Sequence, residues 1–295
     1  MKMKMSREDK VFSAVTYTIL IALSLVILYP LYFIVIASFS SPALVSTGQV
    51  VLYPKGIDFS GYKRISSYDT VWVGYGMTLI YTVLGTIFNL ALTLTVAYTL
   101  TRKNFMAKGF IMKFLMVTMF FSGGLIPTYL LINQLGLYNK PYTLIFLGGI
   151  SVYNVIITKT TMQSSIPEEM YEAAAIDGCS HFQYFFKFVL PLSKPIIAVM
   201  TLYYAVAHWN DYMTGLIYLN KPQYYPLQLI LRNILIQGEL MASDLATVEE
   251  ALVRQQEAEL IKYGLIIVSS VPLLLIYPLI QRFFTQGIMI GSVKG

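Results

Sequence analysis

Residues Tyr171 to Leu192 read YEAAAIDGCSHFQYFFKFVLPL. Alanines 173 to 175 are the strongest helix formers, and Gly178 supplies a left-handed stop. Upstream, Ser165-Ile166-Pro167-Glu168 has the form of a capping box, with Pro167 in the first turn. Glu168 and Glu169 complement the positive end of a helix. The expectation is one helix of about twelve residues, roughly 18 Å long. Ser180-His181-Phe182-Gln183 repeats the box in its Gln form. Phe182, Tyr184, Phe185, Phe186 and Phe188 make the second helix apolar, and Pro191 is expected to end it. The first helix is too short and too polar to span a bilayer, and the two form a short pair with a glycine turn. They are either a docking element for another protein, anchored through the aromatic helix, or an amphipathic loop lying on lipid.

The chain around them is not that of a soluble domain. Of its 295 residues 56% are hydrophobic and 12% charged, about half the usual charged share. Six stretches approach the about 20 apolar residues that cross a bilayer. They lie near Val11–Phe39, Gly76–Leu100, Lys108–Ile132, Tyr142–Gln163, Pro195–Leu219 and Ile261–Gln281. The first follows Lys2, Lys4, Arg7 and Lys10, as a signal peptide would. Its apolar run exceeds the roughly 7–15 residues of such a segment, so an uncleaved helix is expected.

The basic residues set the orientation. With the N-terminus inside, 13 of the 21 Lys and Arg fall on inner segments and 8 on outer ones. The inner clusters, Lys2–Lys10 and Arg102, Lys103, Lys108 and Lys113, are tight. Both termini and the opening stretch are therefore expected in the cytoplasm. The net charge of +6 is thus spent on membrane topology and gives no reason to expect nucleic acid. The fold class expected is an all-α integral membrane protein. It has six transmembrane helices, cytoplasmic termini and a cytoplasmic helix-pair loop.

The expected layout is a first helix over 11–39, an extracytoplasmic loop over 40–75 and a core over 76–283. Within it lie the cytoplasmic loop 164–192 and an outer loop 220–260, and a cytoplasmic tail covers 284–295. The run 240–262 has helical character, with Glu250 and Arg254 one turn apart. It reads as a solvated surface helix or as a docking surface for an outside partner. Pro30, Pro127, Pro272 and Pro278 sit in the spans as kinks or as helix ends.

One constellation in the spans is polar: Trp209, Asn210 and Asp211, next to His208. A charged Asp in a span costs roughly 2.5–3.5 kcal/mol on insertion scales, so something must offset it. Trp209 offers a flat apolar face, and Asn210 both donates and accepts. Together they suit sugar rings and hydroxyls along a path. They also suit bonding between helices.

The spacing Glu172-Ala173-Ala174, three residues, Gly178, nine residues, Phe188, one residue, Leu190-Pro191 resembles the EAA motif of ABC importer permeases. Only Phe188 departs, standing where that pattern has Ile. The resemblance covers nearly the whole chain. Leu52-Tyr53-Pro54 to Tyr62 resembles the outer loop of the carbohydrate-uptake class, and Trp209-Asn210-Asp211-Tyr212 its fifth helix. Ser122-Gly123-Gly124-Leu125-Ile126-Pro127 with Leu135-Gly136-Leu137 resembles a subgroup for oligosaccharides and polysaccharide fragments. The end, Gly287 to Gly295, resembles that of the second permease, as in the maltose importer.

The resemblance implies a permease subunit in a bacterial inner membrane, multi-pass. Its implied partners are a second homologous permease, two ABC ATPase subunits, an extracytoplasmic solute-binding protein and a carbohydrate substrate. Glu172, Ala173, Ala174, Asp177, Gly178, Leu190 and Pro191 are implied to couple to the ATPase. Trp209, Asn210 and Asp211 are implied along the substrate path, and Gly291 and Lys294 in a tail between the ATPase subunits.

No catalytic role is expected of the chain itself, since Gly-x-x-x-x-Gly-Lys-Ser/Thr is absent from it. It has no nucleophile elbow and no His-Glu-x-x-His. With one cysteine and two histidines it has no metal-cluster pattern. No cofactor is expected on this chain, with ATP and Mg held by partner subunits. The rivals are a proton-coupled carrier and an intramembrane hydrolase. Only His208 and Asp211 would serve the first, and no convincing acid pair the second.

Overall fold

The computed structural model describes residues 6–243, 261–276 and 278, and among these there is no strand. The contacts divide the chain into two units: residues 1–68 with 233–270, and residues 69–232 with 271–295.

In the first unit, α1 (Arg7–Ser38) starts at a capping box between Ser6 and Asp9. It runs through Pro30 without ending. Its side chains from Val11 to Leu31 stand largely bare, as a lipid-facing helix requires. Only its last turn is buried, where Ile36 and Ala37 pack with Val45 and Val50. Val45 belongs to the short α2 (Pro42–Ser46). Tyr62, on α3 (Ser60–Ser66), donates to Ser38 Oγ at 2.8 Å and stacks on Phe39 at 5.4 Å. Tyr263, at the start of α15 (Ile261–Ile276), meets Phe33 edge-on at 5.9 Å.

The second unit is organised around α4 (Asp69–Thr101). Its buried residues recur every three or four positions: Val71, Gly74, Thr78, Tyr81, Gly85, Asn89, Thr93, Ala97 and Leu100. That stripe is rich in small and hydroxyl side chains, which let neighbouring backbones approach closely. Its partners are α8 (Val152–Ser165), α12 (Lys194–Asn210) and α7 (Thr143–Phe146). Thr93 and Tyr204 share a hydrogen bond of 2.6 Å, and the Tyr81 hydroxyl donates to the Tyr224 carbonyl at 2.7 Å. Thr78 Oγ1 accepts from Leu227 N–H at 2.7 Å, at the start of α14 (Leu227–Ser243). The stripe's hydrogen bonds are thus made between elements, where no water is available to make them.

Among the described residues two helices, α1 and α4, are long and apolar enough to cross a membrane alone; counting two bent pairs as single spans gives four. The expected third span is such a pair. It divides into α5 (Lys108–Phe120) and α6 (Leu125–Gln134), which meet at 114°. Gly124, at φ +85°, makes the break. The fourth stretch is interrupted between α7 and α8, with Gly148 at φ +73°. The fifth is interrupted at Asp211 and Tyr212, between α12 and α13 (Met213–Tyr218). A short 3₁₀ turn, Pro222–Tyr224, follows. The sixth expected span extends past Ile276 beyond the described residues, apart from 278.

Candidate functional site

The quoted stretch folds as two short helices, with one correction to their limits. Ser165 closes α8; it does not cap the next helix. The cause is Pro167, whose ring excludes the helical region for the residue before it. Ile166 accordingly lies extended, at φ −126° and ψ 99°. The first helix, α9 (Glu168–Ile176), therefore has nine residues, with Pro167 at its N-cap and Glu168 and Glu169 in its first turn.

Gly178 turns the chain at φ +76° with nothing near a notional Cβ, so the position demands a backbone conformation and not space. Ser180 and Gln183 form the expected capping box, Ser180 Oγ accepting from Gln183 N–H at 3.3 Å and Gln183 Oε1 from Ser180 N–H at 3.1 Å. It opens α10 (His181–Tyr184).

Pro191 does not end this second helix. A π turn, Phe185–Val189, leads into α11 (Leu190–Leu192), and the chain bends by 80° only on entering α12. Pro191 has no N–H to give, and the wider turn directly before it relieves its ring of the carbonyl it would strike in an α-helix.

The pair has an inner and an outer side. Ala174 is buried, Met170 and Tyr171 are partly so, and all three join the core of Leu94, Ala97, Val155 and Tyr184. Glu169, Glu172, Ala173, Ala175 and Asp177 face outward, and Ile176 is 87% exposed. Ile176 thus stands as an exposed apolar side chain among acids and alanines. On α10 and the π turn, Tyr184 and Phe185 are buried, whereas Phe182 is 79% exposed. The aromatic run thus anchors the pair with some rings and presents another. Leu190 is half-buried and Pro191 exposed.

Arg102, directly after α4, lies between the two helices. Its Nη2 is 3.5 Å from Glu168 Oε2, and both side chains are largely buried. Its guanidinium lies over the rings of Tyr171 at 4.8 Å, Tyr98 at 5.0 Å and Tyr184 at 5.7 Å. Burial pushes the Tyr184 phenol above its ordinary range, against the opposing pull of Arg102. Tyr171 also stacks on His181 at 5.4 Å, tying α9 to α10 across the glycine turn. Sequence reasoning counted Arg102 only as an inner basic residue. Its position after a span, directly before Lys103, gives no sign of its partners.

The polar residues of the fifth stretch separate. Trp209 is 1% exposed and meets Tyr75 edge-on at 5.7 Å. Asn210 is exposed, and its amide donates to the Val206 carbonyl of its own helix at 3.0 Å. Asp211 Oδ1 accepts from Thr214 N–H at 3.0 Å, across the start of α13. His208 points to α4: its Nε2 lies 2.6 Å from Asn89 Oδ1. Gly291 and Lys294, and the run 244–260, lie outside the described residues.

Comparison with known proteins agrees over the length of the chain. Residues 3–290 match the family described as "Binding-protein-dependent transport system inner membrane component". The "Polygalacturonan/rhamnogalacturonan transport system permease protein YtcP" of Bacillus subtilis is 36% identical over 288 residues, 98% of this chain and 100% of that protein. "Protein LplC" of the same organism is 35% identical over 290 residues, 98% of this chain and 97% of its own length. A solved chain from a bacterial ABC transporter involved in the import of the acidic polysaccharide alginate superposes with a TM-score of 0.84 at 29% identity. It covers 96% of this chain and 100% of its own.

Proposed function

The chain belongs to the binding-protein-dependent transport system inner membrane components, and from that premise we propose that it is one of two permeases in an ATP-driven importer of oligosaccharides or polysaccharide fragments. It is a multi-pass inner-membrane permease of a sugar ABC transporter. The finer reading has six spans, both termini in the cytoplasm and a translocation path shared with a second, homologous permease.

The observation that carries the coupling role is the outward face of α9, with Glu172, Ala173, Asp177 and the bare Ile176 beside the Gly178 turn. Small side chains let another protein's surface come close, and the acids and the isoleucine give that contact charge and an apolar key. In this reading the face enters a cleft of a cytoplasmic ATPase subunit. ATP and Mg bind there and not on this chain. The tail with Gly291 and Lys294 reaches between the two ATPase subunits. An extracytoplasmic binding protein delivers the sugar to the outer loops, including Tyr224-Tyr225-Pro226.

The relatives described above, one for polygalacturonan/rhamnogalacturonan and one for alginate, favour polymer fragments over monosaccharides. The test is purification from the native membrane followed by reconstitution. A second permease and an ATPase are expected to co-purify, and ATP-dependent uptake is expected with an oligouronide or a neutral oligosaccharide panel. Uptake by this chain alone, driven by a proton gradient, would overturn the assignment in favour of a carrier.

A further inference from the structure

Arg102 lies at the junction between α4 and α9. Arg102 is fixed on one side by the last turn of α4, its Nε donating to Thr101 Oγ1 at 3.3 Å. On the other side it holds Glu168 in the first turn of α9. Each charge sits at the helix end whose dipole favours it, the cation at the C-terminus of α4 and the carboxylate at the N-terminus of α9. The three rings around the guanidinium come from three elements: Tyr98 from α4, Tyr171 from α9 and Tyr184 from α10.

Water screens an exposed pair, but the side chains here are 12% and 20% exposed. A planar guanidinium stacked on aromatic faces is also held in orientation, which an ammonium is not. Next to this cluster the packing is loose. A cavity of about 510 Å³ separates Thr95, Thr99 and Phe105 from His181 and Phe182. Beyond the cavity Tyr98 meets Phe185 at 5.0 Å, and Leu94 and Ala97 share a core with Ala174 and Tyr184, so Arg102 adds to this apolar contact the charged, oriented part of the connection.

We propose that Arg102 is the positioning residue that makes α9 and the end of α4 move as one body. A displacement of the docking helix then reaches the long helix at the centre of the second unit. The proposal rests on the coupling reading of α9, and its test separates the two.

The full complex carries spin labels at Thr95→Cys and at the native Cys179, in the turn that closes α9. The Thr95–Cys179 distance is measured without nucleotide and after trapping with ATP and vanadate. A photocrosslinker at Ala173 reports whether α9 sits on the ATPase. In the otherwise native complex the crosslink forms and the distance is the same in both states. In Arg102→Met the crosslink persists but the distance shifts on trapping, because the ATPase carries α9 without α4. Glu168→Gln, which keeps the aromatic cage, shifts it less. Arg102→Lys keeps the charge but loses the stack, and broadens the distribution.

A distance in Arg102→Met that stays fixed in both states, with the crosslink retained, overturns the proposal alone. A native distance that already changes on trapping overturns it too. Absence of the Ala173 crosslink in the native complex overturns the coupling reading and this proposal with it. If Arg102→Met fails to assemble, the Lys and Gln variants decide by the same distances.

Discussion

His208 Nε2 lies 2.6 Å from Asn89 Oδ1, and the imidazole covers Gly85 on the same face of α4. Asn89 spends its amide hydrogens on the carbonyls of Gly148 and Gly149, at 3.1 and 2.9 Å. Its Oδ1 can therefore only accept, which places the proton on His208 Nε2. One asparagine thus joins α4, the break before α8, and α12. A methyl at position 85 would clash with His208 Nε2 and Cε1, inside contact distance. The ring is held by Asn89 and has little room to yield. Gly85→Ala is expected to cost about 1–3 kcal/mol, as overpacking does. Thermal unfolding of the detergent-solubilised chain checks this, with Gly109→Ala, which meets open space, as the control that loses no stability.

Gly178 sets the angle between α9 and α10 through its backbone alone. Gly178→Val is expected to cost about 1–2 kcal/mol locally, the penalty for a side chain in the left-handed region. Asparagine enters that region more readily, so Gly178→Asn should retain part of the activity. ATP-driven uptake in vesicles, with membrane level checked by immunoblot, gives the comparison. Equal uptake by the Val variant and the native protein would show that the turn angle is not needed for coupling.

Asn139 makes a further turn and is the one non-glycine residue at positive φ, +56°, among the described residues. Its Oδ1 accepts from Asn220 N–H at 3.0 Å and Lys221 N–H at 3.2 Å, and its own N–H donates to the Tyr218 carbonyl at 2.8 Å. It thereby fixes the start of the loop that carries Tyr224 and Tyr225. Asn139→Gly should relieve the backbone but lose two hydrogen bonds, each worth about 0.5–1.5 kcal/mol net. Asn139→Ala should lose both the bonds and the preferred backbone, and be the less stable. Proteolysis of the loop in the two variants orders them; a reversed order would remove the side chain's role.

Local features were legible in the sequence and distant ones were not. The Ser180–Gln183 box and the Gly178 turn depend on a few neighbouring residues, and α1 and α4 on long apolar runs. The first box failed for a reason equally local: the restriction that Pro167 imposes on Ile166 overrides the attraction of Ser165 as a cap. The third apolar run hid its break, because Ser122 to Gly124 count as membrane-compatible by composition while Gly124 redirects the chain. Arg102 with Glu168, and Asn89 with His208, are pairings between elements far apart in the chain. Residue type and spacing carry no signal for them, so each partner reads alone as a basic flank, an acidic first turn or a polar residue in a span.

Trp209, Asn210 and Asp211 differ in what holds them. Trp209 is closed in by Tyr75 and its neighbours, so Trp209→Ala should cost about 3–5 kcal/mol in stability, as large core truncations do. Asp211 receives the Thr214 N–H at the interruption of the fifth stretch, so its carboxylate serves as a cap where the helix has stopped. That bond offsets the expense of an acid there. Asp211→Asn keeps an acceptor in place and should transport normally, whereas Asp211→Ala should lose about 0.5–2 kcal/mol, the worth of a cap. Asn210 is exposed, and among the described residues its amide is bonded within its own helix, which leaves its carbonyl oxygen to face a passing hydroxyl. In a Cys179→Ser background, cysteine at 210 should react with a water-soluble thiol reagent at a rate that changes with ATP and vanadate. Cysteine at 209 should stay silent in both states. Silence at 210 in every state, with uptake intact, would assign Asn210 to helix packing and remove it from the path.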